Sequence, residues 1–268
     1  MNAPDLRVVD ASYYLPPEGL NAREEFERHH IPGSVFFDID DIADTQSGLP
    51  HMVPSPQKFS SRVRKLGLGD GLRFVIYDQK GIWSSPRVWW TFKHFGHEDV
   101  AVLDGGLPKW MNEGRPTEDG PDHSSERHFT ARVNSFLIRD KEQVFQNLEN
   151  GREQILDARP NGRFAGRDPE PRPGLRQGHI PGSLNLPYSE LLDPVTQTML
   201  APDRIEEKFT AAGADLNKPI ITSCGSGITA AILSLGLTLI NHRDAALYDG
   251  SWAEWGLPGE TPVVQGDS

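Results

Sequence analysis

The residues best suited to chemistry lie in one short stretch around Cys224, the only cysteine of this 268-residue chain. Cys224 follows the β-branched run 220–222, and Gly225 and Gly227 then lead into an apolar segment long enough for a helix. Glycine lets successive backbone N–H groups turn toward the sulfur, and the positive end of the helix dipole points to the same place. Both effects favour the thiolate over the thiol. The pattern therefore predicts a strand, a tight loop and a helix that present Cys224 as a nucleophile.

A lone cysteine also has a simpler interpretation, which is that of a small buried hydrophobic side chain. The Gly-x-Gly loop at a strand-to-helix junction favours the nucleophile for Cys224, because such surroundings activate cysteine. A sealed and inert Cys224 would leave the chain without its predicted catalytic residue.

Composition limits the class of protein. The net charge of −11 argues against a nucleic-acid partner, because binding to phosphate backbones needs a clustered basic surface. A single cysteine excludes an intramolecular disulfide and argues against a structural zinc site, and no metal or organic cofactor is expected. The N-terminus lacks a basic region followed by an apolar run, and no segment approaches about 18 uninterrupted apolar residues. We therefore expect a soluble, cytoplasmic protein that does not bind a membrane.

Three motifs of the first half of the chain recur in the second half, in the same order and at nearly one spacing. The pairs are Val8-Val9-Asp10-Ala with Ile155-Leu156-Asp157-Ala, His30-Ile-Pro-Gly-Ser with His179-Ile-Pro-Gly-Ser, and Asp104-Gly…Trp110 with Asp249-Gly…Trp255. Such a pattern indicates an internal duplication. Each copy has roughly 120 residues, which is the size of a domain.

Within each copy, short apolar strands alternate with helical patterns, which predicts an α/β fold with a parallel sheet covered by helices on both faces. The predicted domains are residues 1–119 and 138–268, joined by a linker at 120–137 whose first part is almost entirely polar. Ligands of such sheets bind beyond the carboxyl ends of the strands, where Cys224 is expected. Alignment of the two copies places Asp78 opposite Cys224, so the first domain is predicted to be non-catalytic.

The paired His-Ile-Pro-Gly-Ser motifs, the Asp-Gly…Trp endings and the run Cys224-Gly-Ser-Gly-Ile-Thr-Ala resemble the two-domain rhodanese-type sulfurtransferases. The loop resembles that of the 3-mercaptopyruvate sulfurtransferase branch. This resemblance implies tandem rhodanese-like domains in which Cys224 takes the sulfur of 3-mercaptopyruvate, releases pyruvate and becomes a persulfide. A thiol such as thioredoxin or a small thiol, or cyanide in an assay, then accepts the sulfur.

The resemblance also assigns roles to further residues. It implies a Ser226, His51 and Asp40 arrangement near the cysteine, in which His51 and Asp40 approach from the other domain. It implies that Arg163 and Arg172 bind the carboxylate and keto group of the substrate. The remaining substrate-binding residues that it implies are those of the loop, namely Gly225, Gly227, Ile228 and Thr229.

The segment that carries the two arginines supports a role in anion binding on composition alone. Between residues 159 and 176 the chain has five arginines, two acids and four prolines, although it is acidic elsewhere. A cationic loop stiffened by proline suits a small anion. For the other three arginines, Arg159, Arg167 and Arg176, we predict a solvated loop position.

Four other functions fit parts of the sequence less well. A thiosulfate sulfurtransferase is the nearest alternative, but that branch resembles this chain less at the two positions after the cysteine, which are typically basic there and are Gly225 and Ser226 here. A cysteine phosphatase needs a cation to close the loop, and the sixth residue after the cysteine is Ala230. A serine hydrolase centred on Ser226 needs glycine where Cys224 stands. The fourth is a non-catalytic binding module, for which Asp78 makes the first copy the better candidate.

Overall fold

The computed structural model describes residues 3–266, which form two compact units. The first unit comprises the residues up to Gln46, Val53–Asn134 and Pro194–Met199. The second comprises Ser47–Met52, Ser135–Asp193 and the residues from Leu200 onward. Each unit thus includes one short segment from the other half of the sequence, which a division at single chain positions does not describe. The predicted boundaries at residues 119 and 138 stay a prediction.

The first unit is a four-stranded parallel sheet with helices on its faces, as the alternation of strands and helices predicts. Its elements are β1 (Leu6–Asp10), α1 (Ala22–Arg28), β2 (Ser34–Phe36), α2 (Ile39–Ile42), α3 (Pro56–Lys65), β3 (Arg73–Tyr77), α4 (Ser85–His94), β4 (Val100–Val102) and α5 (Gly106–Asn112). The strand order is β2-β1-β3-β4, and every pair is parallel.

The second unit repeats this arrangement and adds one strand. Its elements are β5 (Ile138–Arg139), α6 (Lys141–Asn150), β6 (Gln154–Asp157), α7 (Asn161–Phe164), β7 (Leu184–Asn185), α8 (Pro202–Ala211), β8 (Ile220–Ser223), α9 (Ala230–Leu239), β9 (Ala245–Tyr248) and α10 (Ser251–Trp255). The order β5-β9-β8-β6-β7 is that of the first sheet read from the opposite edge, with β5 as the additional edge strand. All pairs are again parallel.

The duplication read from the sequence extends to individual hydrogen bonds. His30 Nδ1 lies 2.8 Å from the carbonyl oxygen of Phe26, and His179 Nδ1 lies 2.9 Å from that of Phe164. Each imidazole also stacks on the ring of that phenylalanine, with centroids 4.0 and 3.7 Å apart. Both histidines are buried and fix a loop to a helix, so they are structural residues of each copy.

The cores of the two units are built differently. In the first unit, aromatic rings from α3, α4 and β3 pack together, and Phe59 stacks on Phe95 with centroids 4.2 Å apart. Phe129, in the segment predicted as a linker, is 2% exposed and packs edge-on against Phe59. In the second unit, α9 is buried along nearly its whole length, from Ala230 to Leu237. A helix that is apolar on all sides is expected in such a central position.

No helix within residues 3–266 is both long and apolar enough to cross a membrane.

Candidate active site

The loop after β8 is held in place through its backbone. β8 lies between β6 and β9, and Ile220–Ser223 is fully buried. Beyond it, the N–H of Trp252 donates to the carbonyl oxygen of Cys224 at 2.9 Å, and the N–H of Ala253 donates to that of Gly225 at 2.8 Å. The start of α10 therefore fixes the loop through two backbone hydrogen bonds. Cys224 itself is 1% exposed, so its sulfur lies in surroundings from which most water is excluded.

Ser251 binds the backbone of Cys224 through its hydroxyl group. Its hydroxyl accepts a hydrogen bond from the N–H of Cys224 at 3.2 Å and donates to the carbonyl of Tyr248 at 2.8 Å. Ser251 does this with a φ of +49°, a left-handed conformation that costs free energy for a residue with a Cβ. The first copy has Gly106 at this position, with a φ of +52°. The second copy thus exchanges an unstrained glycine for a side chain that contacts the catalytic loop.

The first copy shows what this loop can hold. The carboxylate of Asp78 accepts hydrogen bonds from the backbone N–H groups of Trp83 at 2.9 Å, Ser84 at 3.1 Å and Ser85 at 2.9 Å. The loop and the first turn of α4 therefore form an anion-binding cradle that is occupied by the chain's own carboxylate.

In the second copy the corresponding cradle has not been filled in this way. The N–H groups that match those of Trp83 and Ser84 belong to Thr229 and Ala230, and neither donates to an acceptor within residues 3–266. Gly227 provides the turn with a φ of +79°. These N–H groups can donate hydrogen bonds to a bound anion.

Both predicted substrate-binding arginines lie beside this loop. A Cβ placed on Gly225 would lie 3.1 Å from Nη2 of Arg163 and 4.0 Å from Nη1 of Arg172. Arg172 also donates from Nη2 to the hydroxyl of Ser226 at 3.4 Å. Glycine at position 225 therefore relieves a close contact with the guanidinium of Arg163, whereas Arg172 lies at ordinary contact distance. The arginine content of segment 159–176 suggested an anion-binding cluster, and the structure places two of these arginines beside the Cys224 loop.

Arg163 is held by an acid that sequence reasoning missed. Its Nη2 donates to Oε2 of Glu170 at 2.5 Å, and its Nε donates to the same oxygen at 3.2 Å. Glu170 is 2% exposed at its side chain and also accepts from Nη1 of Arg159 at 2.8 Å. An acid placed among five arginines could have signalled such a pairing, because a carboxylate that becomes buried requires cationic partners.

The prediction that Arg159 is solvated is wrong. Arg159 is 1% exposed, donates to both Asp157 and Glu170, and lies over the ring of Trp252 at 4.3 Å from the centroid. Burial lowers the pKa of Arg159, but the two carboxylates outweigh it and hold that pKa above its ordinary value.

The same prediction is also wrong for Arg176, which donates to the carbonyls of Trp255 and Thr261 and is partly buried. Arg167 is exposed, as predicted, and bonds Asn161. The contacts of Arg176 could not be read from the sequence because its partners lie 79 and 85 residues away along the chain.

His51 belongs to the short segment Ser47–Met52 that packs with the second unit. Its Nδ1 lies 3.0 Å from the hydroxyl oxygen of Ser226, it is 5% exposed, and its φ is +60°. Strained backbone at a buried polar residue is typical of functional sites. The structure thus brings together two members of the expected Ser/His/Asp arrangement. Asp40 lies in the first turn of α2, in the first unit, and its part in that arrangement stays a prediction.

No group of three or more His, Cys, Asp or Glu side chains able to hold a metal ion occurs among residues 3–266. The groups gathered at the loop are instead a thiol, a hydroxyl paired with an imidazole, two guanidinium groups and backbone N–H donors. This set can bind a small anion and stabilise negative charge on sulfur.

The model of the rhodanese-like domain matches the chain twice, at residues 1–113 and 140–257. The mouse 3-mercaptopyruvate sulfurtransferase is 44% identical over 93% of this chain and 84% of its own length. The rat thiosulfate sulfurtransferase is 40% identical over 99% of this chain and 90% of its own length.

Among solved structures, the crystal structure of SseA from Escherichia coli, described as a 3-mercaptopyruvate sulfotransferase, is 38% identical. It superposes with a TM-score of 0.85 over 94% of each chain. These likenesses cover both units, which agrees with the duplication found in the sequence. The chain therefore belongs to the rhodanese-like family and, within it, to the two-domain 3-mercaptopyruvate sulfurtransferases.

Proposed function

We propose that this protein transfers the sulfur of 3-mercaptopyruvate to a thiol or to cyanide through a persulfide on Cys224, with release of pyruvate. The observation that carries the proposal is the convergence of Arg163 and Arg172 on Gly225, next to the nucleophile. A 2-keto acid presents a carboxylate and a carbonyl oxygen, which two guanidinium groups can bind together. Its sulfur, which is bonded to the carbon next to the keto carbon, is then directed toward Cys224.

In the first half-reaction the Cys224 thiolate attacks the sulfur of the substrate thiol. The S–S bond forms while the carbon–sulfur bond breaks, and the electron pair of the broken bond remains on the departing enolate of pyruvate. Protonation of the enolate carbon gives pyruvate. Cys224 is thereby oxidised to the persulfide, and the substrate carbon is reduced by exchange of sulfur for hydrogen.

Ser226 and His51 are proposed to handle the proton of this step. The imidazole accepts the proton of the substrate thiol through the Ser226 hydroxyl, with which it is in hydrogen-bond contact at 3.0 Å, and returns it to the enolate. In the proposed triad Asp40 fixes the tautomer of the imidazole. The N–H groups of Thr229 and Ala230, which have no acceptor among residues 3–266, stabilise the persulfide anion together with the loop from Gly225 to Ile228, as the corresponding N–H groups stabilise Asp78.

In the second half-reaction an acceptor thiolate attacks the outer sulfur of the persulfide and restores the Cys224 thiolate. Thioredoxin or a small thiol is the proposed acceptor, and cyanide replaces it in an assay. Such acceptors are kept reduced in the cytoplasm, which is the proposed location. The first domain, with Asp78 in its cradle, is proposed to support the second without catalysing transfer.

A side-by-side steady-state assay of two sulfur donors tests the proposal. We expect pyruvate release from 3-mercaptopyruvate to exceed thiocyanate formation from thiosulfate by at least tenfold in kcat/KM, and Cys224→Ser to abolish both. Loss of the ranking, with thiosulfate preferred, would assign the chain to the second candidate.

That second candidate is thiosulfate sulfurtransferase, which the 40% identity to the rat thiosulfate sulfurtransferase favours. The loop argues against it. Thiosulfate carries two negative charges, and Gly225 and Ser226 add no cation to Arg163 and Arg172, the first of which is already paired with Glu170.

A further inference from the structure

Four charged side chains of alternating sign form a buried row that ends at the Cys224 loop. Asp157, Arg159 and Glu170 are each at most 3% exposed at the side chain, and Arg163 at the end of the row is 21% exposed. Glu170 has no proposed part in sulfur transfer, yet it contacts both arginines of the row. Burial of a carboxylate costs free energy, so a buried glutamate without a part in the reaction suggests another role for Glu170.

The row changes the charge that the loop presents to a substrate. Arg163 is paired with Glu170, and Arg159 is paired with Asp157, so the four charges sum to zero. Arg172, the second guanidinium beside Gly225, forms no ion pair with any of residues 3–266. The two arginines at the loop therefore act on a ligand as about one net positive charge rather than two.

We propose that Glu170 determines donor specificity by limiting the positive charge at this loop to one, which fits a monoanionic carboxylate better than a dianion. The inference rests on the proposed function for the identity of the preferred donor. Its physical basis is Coulombic. A dianion loses twice as much attraction as a monoanion when a negative charge is placed behind Arg163, and in a site from which water is excluded this difference is weakly screened.

Glu170→Gln tests the proposal, because glutamine keeps the size and one oxygen acceptor while removing the charge. Glu153→Gln is the matched control, since Glu153 forms a two-pronged ion pair with Arg139 at 2.8 and 2.9 Å in the same unit. Each variant is assayed with 3-mercaptopyruvate and with thiosulfate, and its thermal unfolding is recorded.

We expect the ratio of kcat/KM for thiosulfate to that for 3-mercaptopyruvate to rise about tenfold or more in Glu170→Gln and to stay within twofold in Glu153→Gln. Equal loss of activity toward both donors, with an unchanged ratio, would show that Glu170 only supports the loop and would overturn the proposal.

Arg163→Gln provides a second test that does not depend on correct folding of Glu170→Gln. Arg163→Gln removes the partly exposed cation and leaves Glu170 paired with Arg159. The proposal requires the donor ratio to move in the opposite direction, away from thiosulfate, by about tenfold. A ratio that is unchanged or that moves toward thiosulfate would contradict it.

Binding experiments separate this inference from the proposed function. Pyruvate, a monoanion, and sulfate, a dianion, are titrated as protectants of Cys224 against alkylation by iodoacetamide in wild type and Glu170→Gln. The variant should gain affinity for sulfate relative to pyruvate even if the wild type transfers no sulfur from either donor. If the protection by sulfate relative to pyruvate were the same in Glu170→Gln and wild type, the proposal would be refuted. Inactivity of the wild type alone would refute only the proposed function.

Discussion

Replacement of Arg172 by alanine is the most informative single change at the substrate-binding side of the site. Arg172 lies beside Gly225, contacts the Ser226 hydroxyl at 3.4 Å and forms no ion pair with the described residues. Its guanidinium is therefore available to the substrate carboxylate. A hydrogen bond to a charged group contributes about 2 kcal/mol, which corresponds to a loss of roughly 30-fold in kcat/KM.

The loss should fall mainly on KM, because the carboxylate binds in the ground state as well as in the transition state. Arg163→Ala should raise KM by less, about fivefold to tenfold, since Glu170 already neutralises part of the charge of Arg163. Arg167→Ala is the control, because Arg167 is exposed and bonds Asn161 in the same loop.

Pyruvate release, coupled to lactate dehydrogenase, measures these constants, and thermal unfolding verifies that each variant is folded. The effect of Arg172→Ala should weaken with added salt, as the attraction of a partly exposed cation for an anion is screened. A KM within twofold of the wild type in Arg172→Ala, or an equal rise in Arg167→Ala, would refute the assignment of the substrate carboxylate to this arginine.

Three further predictions concern the support of the site and the stability of the first unit. His51→Gln should lower kcat about 100-fold while KM changes little, as measured in the same assay, because it removes the proposed proton acceptor next to Ser226. An equal loss in kcat and rise in KM would indicate a binding role instead. Ser251→Ala should lower kcat and the melting temperature, because it keeps the left-handed backbone but loses the hydrogen bond to the Cys224 N–H. Ser251→Gly should restore the melting temperature but not kcat, because glycine adopts this backbone conformation without strain. Identical behaviour of the two variants would contradict this prediction. Burial raises the pKa of Asp10 to about 6, above its value in the unfolded chain, so the folded state binds the extra proton and the free energy of unfolding should fall by on the order of 1 to 3 kcal/mol as the pH rises from 4 through 6. Asp10→Asn should flatten that slope in urea unfolding measured across the same range, and an unchanged slope would refute the assignment.

The sequence was sufficient for the parts of the molecule that depend on local pattern. The strand that ends before Cys224 and the apolar helix after it follow from hydrophobicity and glycine placement, and both are confirmed as β8 and α9. The duplication follows from repeated motifs, and the family-level prediction of tandem rhodanese-like domains is confirmed. The convergence of Arg163 and Arg172 on the loop came from the resemblance together with an unusual concentration of arginine in a proline-rich segment.

What could not be predicted depends on contacts between residues distant in the chain. Arg159 lies over the ring of Trp252, which is contributed by α10, almost a hundred residues further along the chain. The left-handed backbone of Ser251 could not be predicted from the sequence, because serine rarely adopts that conformation. Only the comparison with Gly106 in the first copy reveals it. The 1% exposure of Cys224 agrees with the simpler interpretation of a small buried side chain, so the reactivity of this thiol is what separates that interpretation from a nucleophile.

Intact-protein and peptide mass spectrometry after brief mixing with 3-mercaptopyruvate, without an acceptor, tests the central claim most directly. A catalyst that works through a persulfide gains one sulfur atom, about 32 Da, on the peptide that contains Cys224, releases an equal amount of pyruvate and loses the added sulfur when cyanide is supplied. Cys224→Ser should gain nothing. Release of pyruvate from a protein whose Cys224 remains an unmodified thiol would contradict the account.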